Sequence, residues 1–406
     1  MDNITYSKVS YELTKKISKN EKKANGIFFT NPNTIMKNLD ILKPYMKNII
    51  NVLEPSCGSC EFINILNTNY NKLKITGIEF NKTIFDSIKL FENNNIKLLN
   101  QDFLIYKSET NYDLIIGNPP YFVMKKNEID KYYLDYFEGR PNIFILFLIK
   151  SLSLLNNNGI LSFILPKSFL NCLYYDKTRK YIINNFKIIN IIDCDDNYIE
   201  TKQQTIIFIL QKTTSTDLKK INNKFILNNN KYTIYSLQEN ITKLNLLYRN
   251  STTLNKLDFK VSVGNIVWNQ CKTELTNDTS KTLLIYSSDI KKQKLEIQKY
   301  SNVDKKNYIN KKGSNDLILV MNRGYGVGNY NFDYCLIDVD FDYLVENHLI
   351  CITYTKTINK NELKNLYDKI IKSFNNEKTQ EFIKLYFGNN AINTTELSEI
   401  LPIYDI

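Results

Sequence analysis

Five residues, Gly117-Asn118-Pro119-Pro120-Tyr121, have the makings of a loop that holds and activates a planar amine. They close the apolar run Tyr112-Asp113-Leu114-Ile115-Ile116, which reads as a buried strand. Asn118 brings a side-chain carbonyl oxygen and Pro119 a backbone one, two acceptors for the two amino hydrogens. The prolines fix φ and disfavour helix in the residue before them, so the loop is stiff and its oxygens are aimed. Tyr121 adds a flat face on which a heteroaromatic ring can stack. The same residues also suit a plain strand-to-loop turn, so their surroundings decide between the two.

Three earlier strands end in a carboxylate. Glu54-Pro55-Ser56-Cys57-Gly58-Ser59-Cys60 follows the first strand and precedes a helix. Small residues there let a ligand approach the backbone, and the helix start favours an acidic ligand group. The loop is neither a dinucleotide GxGxxG nor a phosphate loop with Gly-Lys-Ser/Thr, which disfavours NAD and ATP. Glu54 suits a cation better than a phosphate. Ile78-Glu79-Phe80 ends the second strand with an acid of the kind that accepts ribose hydroxyls. Gln101-Asp102-Phe103 ends the third with a carboxylate and a ring that can bracket an adenine amino edge. Any one of these alone reads as a solvated strand end. Three in register, followed by Asn-Pro-Pro-Tyr, do not. The ligand they describe is a nucleoside without phosphates, carrying an amino acid and a positive centre, and S-adenosylmethionine fits.

Positioning these loops takes a parallel, helix-covered sheet, and the first half of the chain has that alternation. Strands are expected over 49–53, 74–78, 96–99, 112–116, 159–165, 188–192 and 204–210, with helices over 61–66, 83–91, 143–155 and 178–185. Such sheets bind ligands at the carboxyl ends of their strands. After residue 211 the pattern weakens, and beyond Leu254 it turns to short irregular strands such as 261–268, 283–285 and 317–321. The expected organisation is a Rossmann-like α/β domain over 1–245 and an irregular mixed α+β domain over 246–406.

At 406 residues the chain exceeds what one core usually serves. An apolar fraction of 43% is globular composition. The net charge of +11 points to a polyanionic partner, nucleic acid before membrane, although the wealth of Asn, Lys and Ile also fits an AT-rich genome. The amino terminus is polar, with no apolar signal region, and no stretch is long enough to span a bilayer, so an intracellular, cytoplasmic protein is expected. Seven scattered cysteines argue for reduced thiols. Cys57 and Cys60 have CxxC spacing, but no second CxxC exists and His348 is the only histidine, so no metal site is expected.

The order Gly26-Ile27-Phe28-Phe29-Thr30-Asn31-Pro32, Leu53-Glu54-Pro55-Ser56-Cys57-Gly58, Gly77-Ile78-Glu79, Gln101-Asp102-Phe103, Asn118-Pro119-Pro120-Tyr121 resembles the gamma-class N6-adenine DNA methyltransferases, the TaqI-type modification enzymes of bacterial and viral restriction systems. The likeness covers roughly residues 20–212 closely and 250–406 more loosely. It implies S-adenosylmethionine as cofactor, with Phe28 and Thr30 over its methionine part, Glu54 at its ammonium, Glu79 and Phe80 at its ribose, Asp102 and Phe103 at its adenine, and Pro55, Ser56, Cys57 and Gly58 forming the loop around it. It implies that Asn118, Pro119, Pro120 and Tyr121 carry the chemistry, and that Tyr198 joins Tyr121 in stacking on an extruded base. Cys60 departs from the family, where a glycine or another very small residue is expected. The second domain is then the target-recognition domain, acting on double-stranded DNA, with a separate cognate restriction endonuclease and a monomeric state. Val261 to Gln270 resembles the opening strand of such domains, which draws in Trp268 and the adjoining Lys272. Ten basic residues against four acidic between Lys281 and Arg323 suggest a phosphate-facing surface that includes Lys311, Lys312 and Arg323. The alternatives are an RNA base methyltransferase, a protein-glutamine methyltransferase of the release-factor type, for which a 160-residue tail is unexpected, and an inactive scaffold.

Overall fold

The structure is a computed structural model that describes residues 6–194, 203–215, 217–227, 231–323, 333–387 and 392–405; Tyr198 lies outside them. The chain divides into two compact units, Met1–Ile241 and Thr242–Ile406.

The first unit is built on seven strands: β1 (Asn51–Glu54), β2 (Lys74–Glu79), β3 (Ile96–Asn100), β4 (Tyr112–Gly117), β5 (Leu155–Pro166), β6 (Phe186–Cys194) and β7 (Thr205–Lys212). They lie in the order β3-β2-β1-β4-β5-β7-β6. Pairing is parallel from β3 to β5, so five carboxyl ends come out side by side. The parallel pairing stops at the far edge, where β7 runs antiparallel to both β5 and β6. A direct return from β6 into its neighbour reverses the chain, whereas a parallel strand needs a crossover.

Both faces of the sheet are buried, and the pleat sends alternate residues to opposite sides. Ile115 packs in one apolar cluster, and its neighbours Leu114 and Ile116 pack in the other. The first cluster is covered by α6 (Ile143–Ser153), whose residues from Ile143 to Leu152 are buried with the exception of Lys150. The second is covered by α3 (Pro32–Leu42), α4 (Glu61–Asn69) and α5 (Lys82–Ile88), through Ile35, Leu39, Phe62, Ile63 and Ile88. Truncating a residue as enclosed as Ile115 to alanine costs about 2–5 kcal/mol.

Ahead of the sheet, α3 and two shorter helices, α1 (Lys8–Lys16) and α2 (Lys19–Asn25), are absent from the sequence expectations. Ser7 and Ser18 cap them by accepting hydrogen bonds from Ser10 N and Glu21 N. Gly26 ends α2 with φ of 63°, a left-handed conformation that costs other residues energy. Asn31 then caps α3, accepting from Asn33 N at 2.9 Å, with Pro32 in the first turn.

The second unit holds a four-stranded antiparallel sheet ordered Phe259–Val263, Leu349–Tyr354, Ile318–Asn322, Tyr334–Ile337. A second sheet joins Leu275–Thr276, Tyr308–Ile309, Thr282–Ile285 and Tyr343–Val345. Two amphipathic helices, Lys360–Phe374 and Glu377–Tyr386, complete this unit and did not register in the sequence as elements. The strand expected over 261–268 stops at Val263, and Trp268 opens a short 3-10 turn instead.

Candidate active site

Because β3, β2, β1 and β4 are parallel neighbours, their terminal loops border one cavity of about 290 Å³. Glu79, the last residue of β2, lines it. Its Oε2 accepts from Gly58 N at 2.9 Å and its Oε1 from Asn81 N at 2.7 Å. Burial raises the Glu79 carboxyl to about 7, against the pull of those backbone donors. Phe80 beside it is 70% exposed, an apolar ring left in solvent at the mouth of a cavity. Asp102 and Phe103 line the opposite wall. Asp102 Oδ1 accepts from Leu104 N at 2.8 Å, and Phe103 is fully enclosed with its ring 5.0 Å from that of Phe147.

Glu54, the last residue of β1, does not line the cavity itself; Pro55, Ser56 and Gly58 of its loop do. Its carboxyl is buried, and Oε2 has no hydrogen-bond partner among the described residues. Burial first, then the neighbouring Cys60, Glu79 and Glu61, push it well above the usual carboxylate range. An unpartnered buried carboxyl is costly, and an arriving ammonium group would relieve it. Cys57 is also withdrawn: it packs into the core, where a side chain on Gly77 would meet its sulfur at 3.2 Å. Cys60 takes φ of 64° at the start of α4, which explains why a glycine is expected there.

At the end of β4, Asn118 and Pro120 line the cavity, while Pro119 and Tyr121 do not. Asn118 Nδ2 donates to Thr30 Oγ1 at 3.2 Å and to Phe28 O at 3.3 Å. A carbonyl can only accept, so the amide orientation is fixed and Oδ1 faces the other way. There it accepts from the Tyr121 hydroxyl at 2.5 Å. That hydroxyl also lies 2.7 Å from Ile164 O on β5. Tyr121 is half-buried, with its ring edge-on to Phe144 at 6.0 Å. Thr30 therefore touches the amide of Asn118 and not the cavity.

Sequence reasoning passed over most of the cavity roof. Asn25, Gly26, Ile27 and Phe29, together with the expected Phe28, come from the chain leaving α2. A Cβ on Gly26 would lie 2.6 Å from Tyr121 N, so this arm and the Asn-Pro-Pro-Tyr loop approach as closely as backbones can. Ile143 and Phe147 of α6, the helix that covers one face of the sheet, line the cavity as well. Their apolar side chains carry no chemical signal of their own.

In the second unit, four of the five basic and aromatic candidates fall close together. Lys272 pairs with Asp304 at 2.7 Å and lies 6.0 Å from the Trp268 ring. Lys311 pairs with Glu274 at 3.2 Å and donates to Cys271 Sγ. Lys312 follows it and is exposed. Arg323 stands apart, just beyond the strand Ile318–Asn322 of the other sheet. Among the described residues no acid, histidine and cysteine cluster could hold a metal, and no helix is long and apolar enough to cross a membrane.

The class is that of the S-adenosylmethionine-dependent methyltransferases, and the cavity's carboxylates and apolar rings suit that cofactor. Within the class, residues 25–199 match the family described as Eco57I restriction-modification methylase, and the full-length similarity to Type II methyltransferases supports a DNA methyltransferase. The chain is 28% identical over 406 residues to the Type II methyltransferase M.CvrRI of Paramecium bursaria Chlorella virus XZ-6E, covering 97% of this chain and 98% of that one. It is 27% identical over 412 residues to the modification methylase CviBIII of Paramecium bursaria Chlorella virus NC1A, covering 98% and 99%. Among solved structures, the cryo-EM structure of a DrdV–DNA complex superposes with a TM-score of 0.54 at 12% identity, covering 98% of this chain and 57% of that one.

Proposed function

We propose that the protein is a site-specific, Type II adenine-N6 methyltransferase of double-stranded DNA. The observation that carries this is the anchored amide of Asn118, a residue that lines the cavity: its nitrogen is held by Phe28 and Thr30, so its oxygen is fixed as an acceptor. S-adenosylmethionine, when bound, supplies an electrophilic methyl group. An exocyclic adenine amine is a poor nucleophile because its lone pair is delocalised into the ring. Asn118 Oδ1 and the Pro119 carbonyl draw on the amino hydrogens and favour a pyramidal nitrogen, which frees the lone pair. Acceptors placed where charge develops are worth about 3 kcal/mol each.

An amine inside a duplex cannot reach a loop at the end of a sheet, so the base is turned out at a cost of about a few kcal/mol. Stacking on Tyr121, with Tyr198 as second candidate, offsets about 1–3 kcal/mol per base. The second unit serves as the target-recognition domain. In it Trp268, Lys272, Lys311, Lys312 and Arg323 contact the duplex, the lysines at phosphates. The protein acts as an intracellular monomer alongside a separate endonuclease of the same specificity.

Labelled S-adenosylmethionine incubated separately with duplex DNA, RNA and a release factor, followed by mapping of the methylated atom, tests the proposal. Label on adenine N6 within one short duplex sequence is expected. Transfer only to RNA or protein, or to another base atom, overturns it.

A further inference from the structure

Helix α6 is apolar through its first seven residues, and Lys150 is its one charged side chain. Its sequence, Ile143-Phe144-Ile145-Leu146-Phe147-Leu148-Ile149-Lys150-Ser151-Leu152-Ser153, places a lone ammonium in the last turn of a helix packed against the sheet. Positions 143, 147 and 150 share one helix face. The first two line the cofactor cavity, and the third reaches behind its wall. Lys150 Nζ donates to Leu104 O at 2.7 Å and lies 5.2 Å from the centre of the Phe103 ring.

The peptide groups it meets are those of the Asp102–Leu104 turn. Leu104 N–H is already held by Asp102 Oδ1 at 2.8 Å, so Asp102 pins one polar group of Leu104 and Lys150 pins the other. Phe147, one turn earlier on α6, backs the Phe103 ring at 5.0 Å. Burial lowers the Lys150 ammonium from its ordinary value while the Asp102 charge raises it, so the two side chains feel one another across the turn. An ammonium that only complemented the end of a helix would not need this carbonyl or this ring.

We infer that Lys150 is a positioning residue for the cofactor's base, fixing the Asp102–Leu104 turn so that the Asp102 carboxylate meets the amino edge of the adenine. The inference rests on the methyltransferase reading proposed above and on the expected placement of the cofactor's adenine against Asp102. Its effect is selectivity: a held carboxylate rewards a ligand with a 6-amino donor and rejects one with a 6-carbonyl acceptor.

The test compares S-adenosylhomocysteine with its inosine counterpart, each titrated calorimetrically into the full chain. Wild type prefers the adenosine form. Lys150→Met, which keeps the stem and removes the charge, lowers affinity for the adenosine form roughly tenfold, the usual worth of a charged hydrogen bond, and leaves the inosine form nearly unchanged. Lys150→Arg restores most of the preference. Circular dichroism checks folding, and if Lys150→Met does not fold, Lys150→Gln carries the same comparison. A variant that keeps the full preference, or loses affinity for both ligands equally, overturns the role of Lys150. A wild type without preference overturns the placement of adenine, and this inference with it.

Discussion

Glu79 offers the sharpest test of how the cavity takes its ligand. Its carboxyl is raised from 4.5 to about 7 by burial. Hydroxyl donors such as those of a ribose favour the ionised form, so ligand binding must remove the proton wherever it is present. At pH 5.5 only about one molecule in thirty is ionised, so affinity for S-adenosylhomocysteine should fall roughly 30-fold, about 2 kcal/mol, between pH 8 and 5.5. The sign for the free protein is opposite. A carboxyl raised on folding contributes stability that is fully present below its unfolded value and lost as pH rises through about 7. The unliganded protein therefore weakens from pH 5 to 8 while the complex tightens. Glu79→Gln removes the titrating group, keeps one acceptor, and strands one of the two backbone donors at a cost of about 1–3 kcal/mol. Calorimetry at pH 6 in two buffers of different ionisation enthalpy counts released protons, and wild type should release about one more than Glu79→Gln. The Glu54 carboxyl adds release in both proteins, so only the difference matters. Equal proton release by the two would refute the assignment of Glu79.

Substitutions at three further positions are read by methyl transfer to duplex DNA. Asn118→Ala should lower transfer by more than about 100-fold while S-adenosylhomocysteine binding, followed by calorimetry, stays within about threefold. Tyr121→Ala should cost more than Tyr121→Phe in kcat/KM, about 1–3 kcal/mol of stacking against about 1 kcal/mol for the hydroxyl, and equal losses would rule out stacking. Gly26→Ala meets Tyr121 N and forces a left-handed alanine, about 1–2 kcal/mol for the backbone alone, so a lowered Tm and weakened transfer should appear together.

Periodicity located all seven strands of the main sheet because both faces are buried and the apolar runs are continuous. Direction is a different matter: a run such as Thr205–Lys212 looks the same whichever way it lies, and only its return from β6 makes it antiparallel. The acids at the strand ends were visible because a carboxylate after an apolar run is unusual. Whether such an acid faces the cavity was not visible, and Glu54 is set back where Glu79 is forward. The helices α1 and α2 went unseen because they are short and Lys-rich, though Ser18-Lys19-Asn20-Glu21 carries the spacing of a capping box. The roof residues Ile27 and Phe29 were indistinguishable from core, since an apolar side chain in a cavity wall and one in a core differ only in what they face.

The Tyr121 hydroxyl has one proton and two acceptors, Asn118 Oδ1 and Ile164 O. Whatever donor comes to claim the Asn118 oxygen, the tyrosine can turn its proton to the carbonyl of β5 without losing a partner. Handing over that oxygen costs the difference between two bonds, not a whole one. The loop can thus be quenched while empty and receptive when occupied, with no backbone movement between the two states.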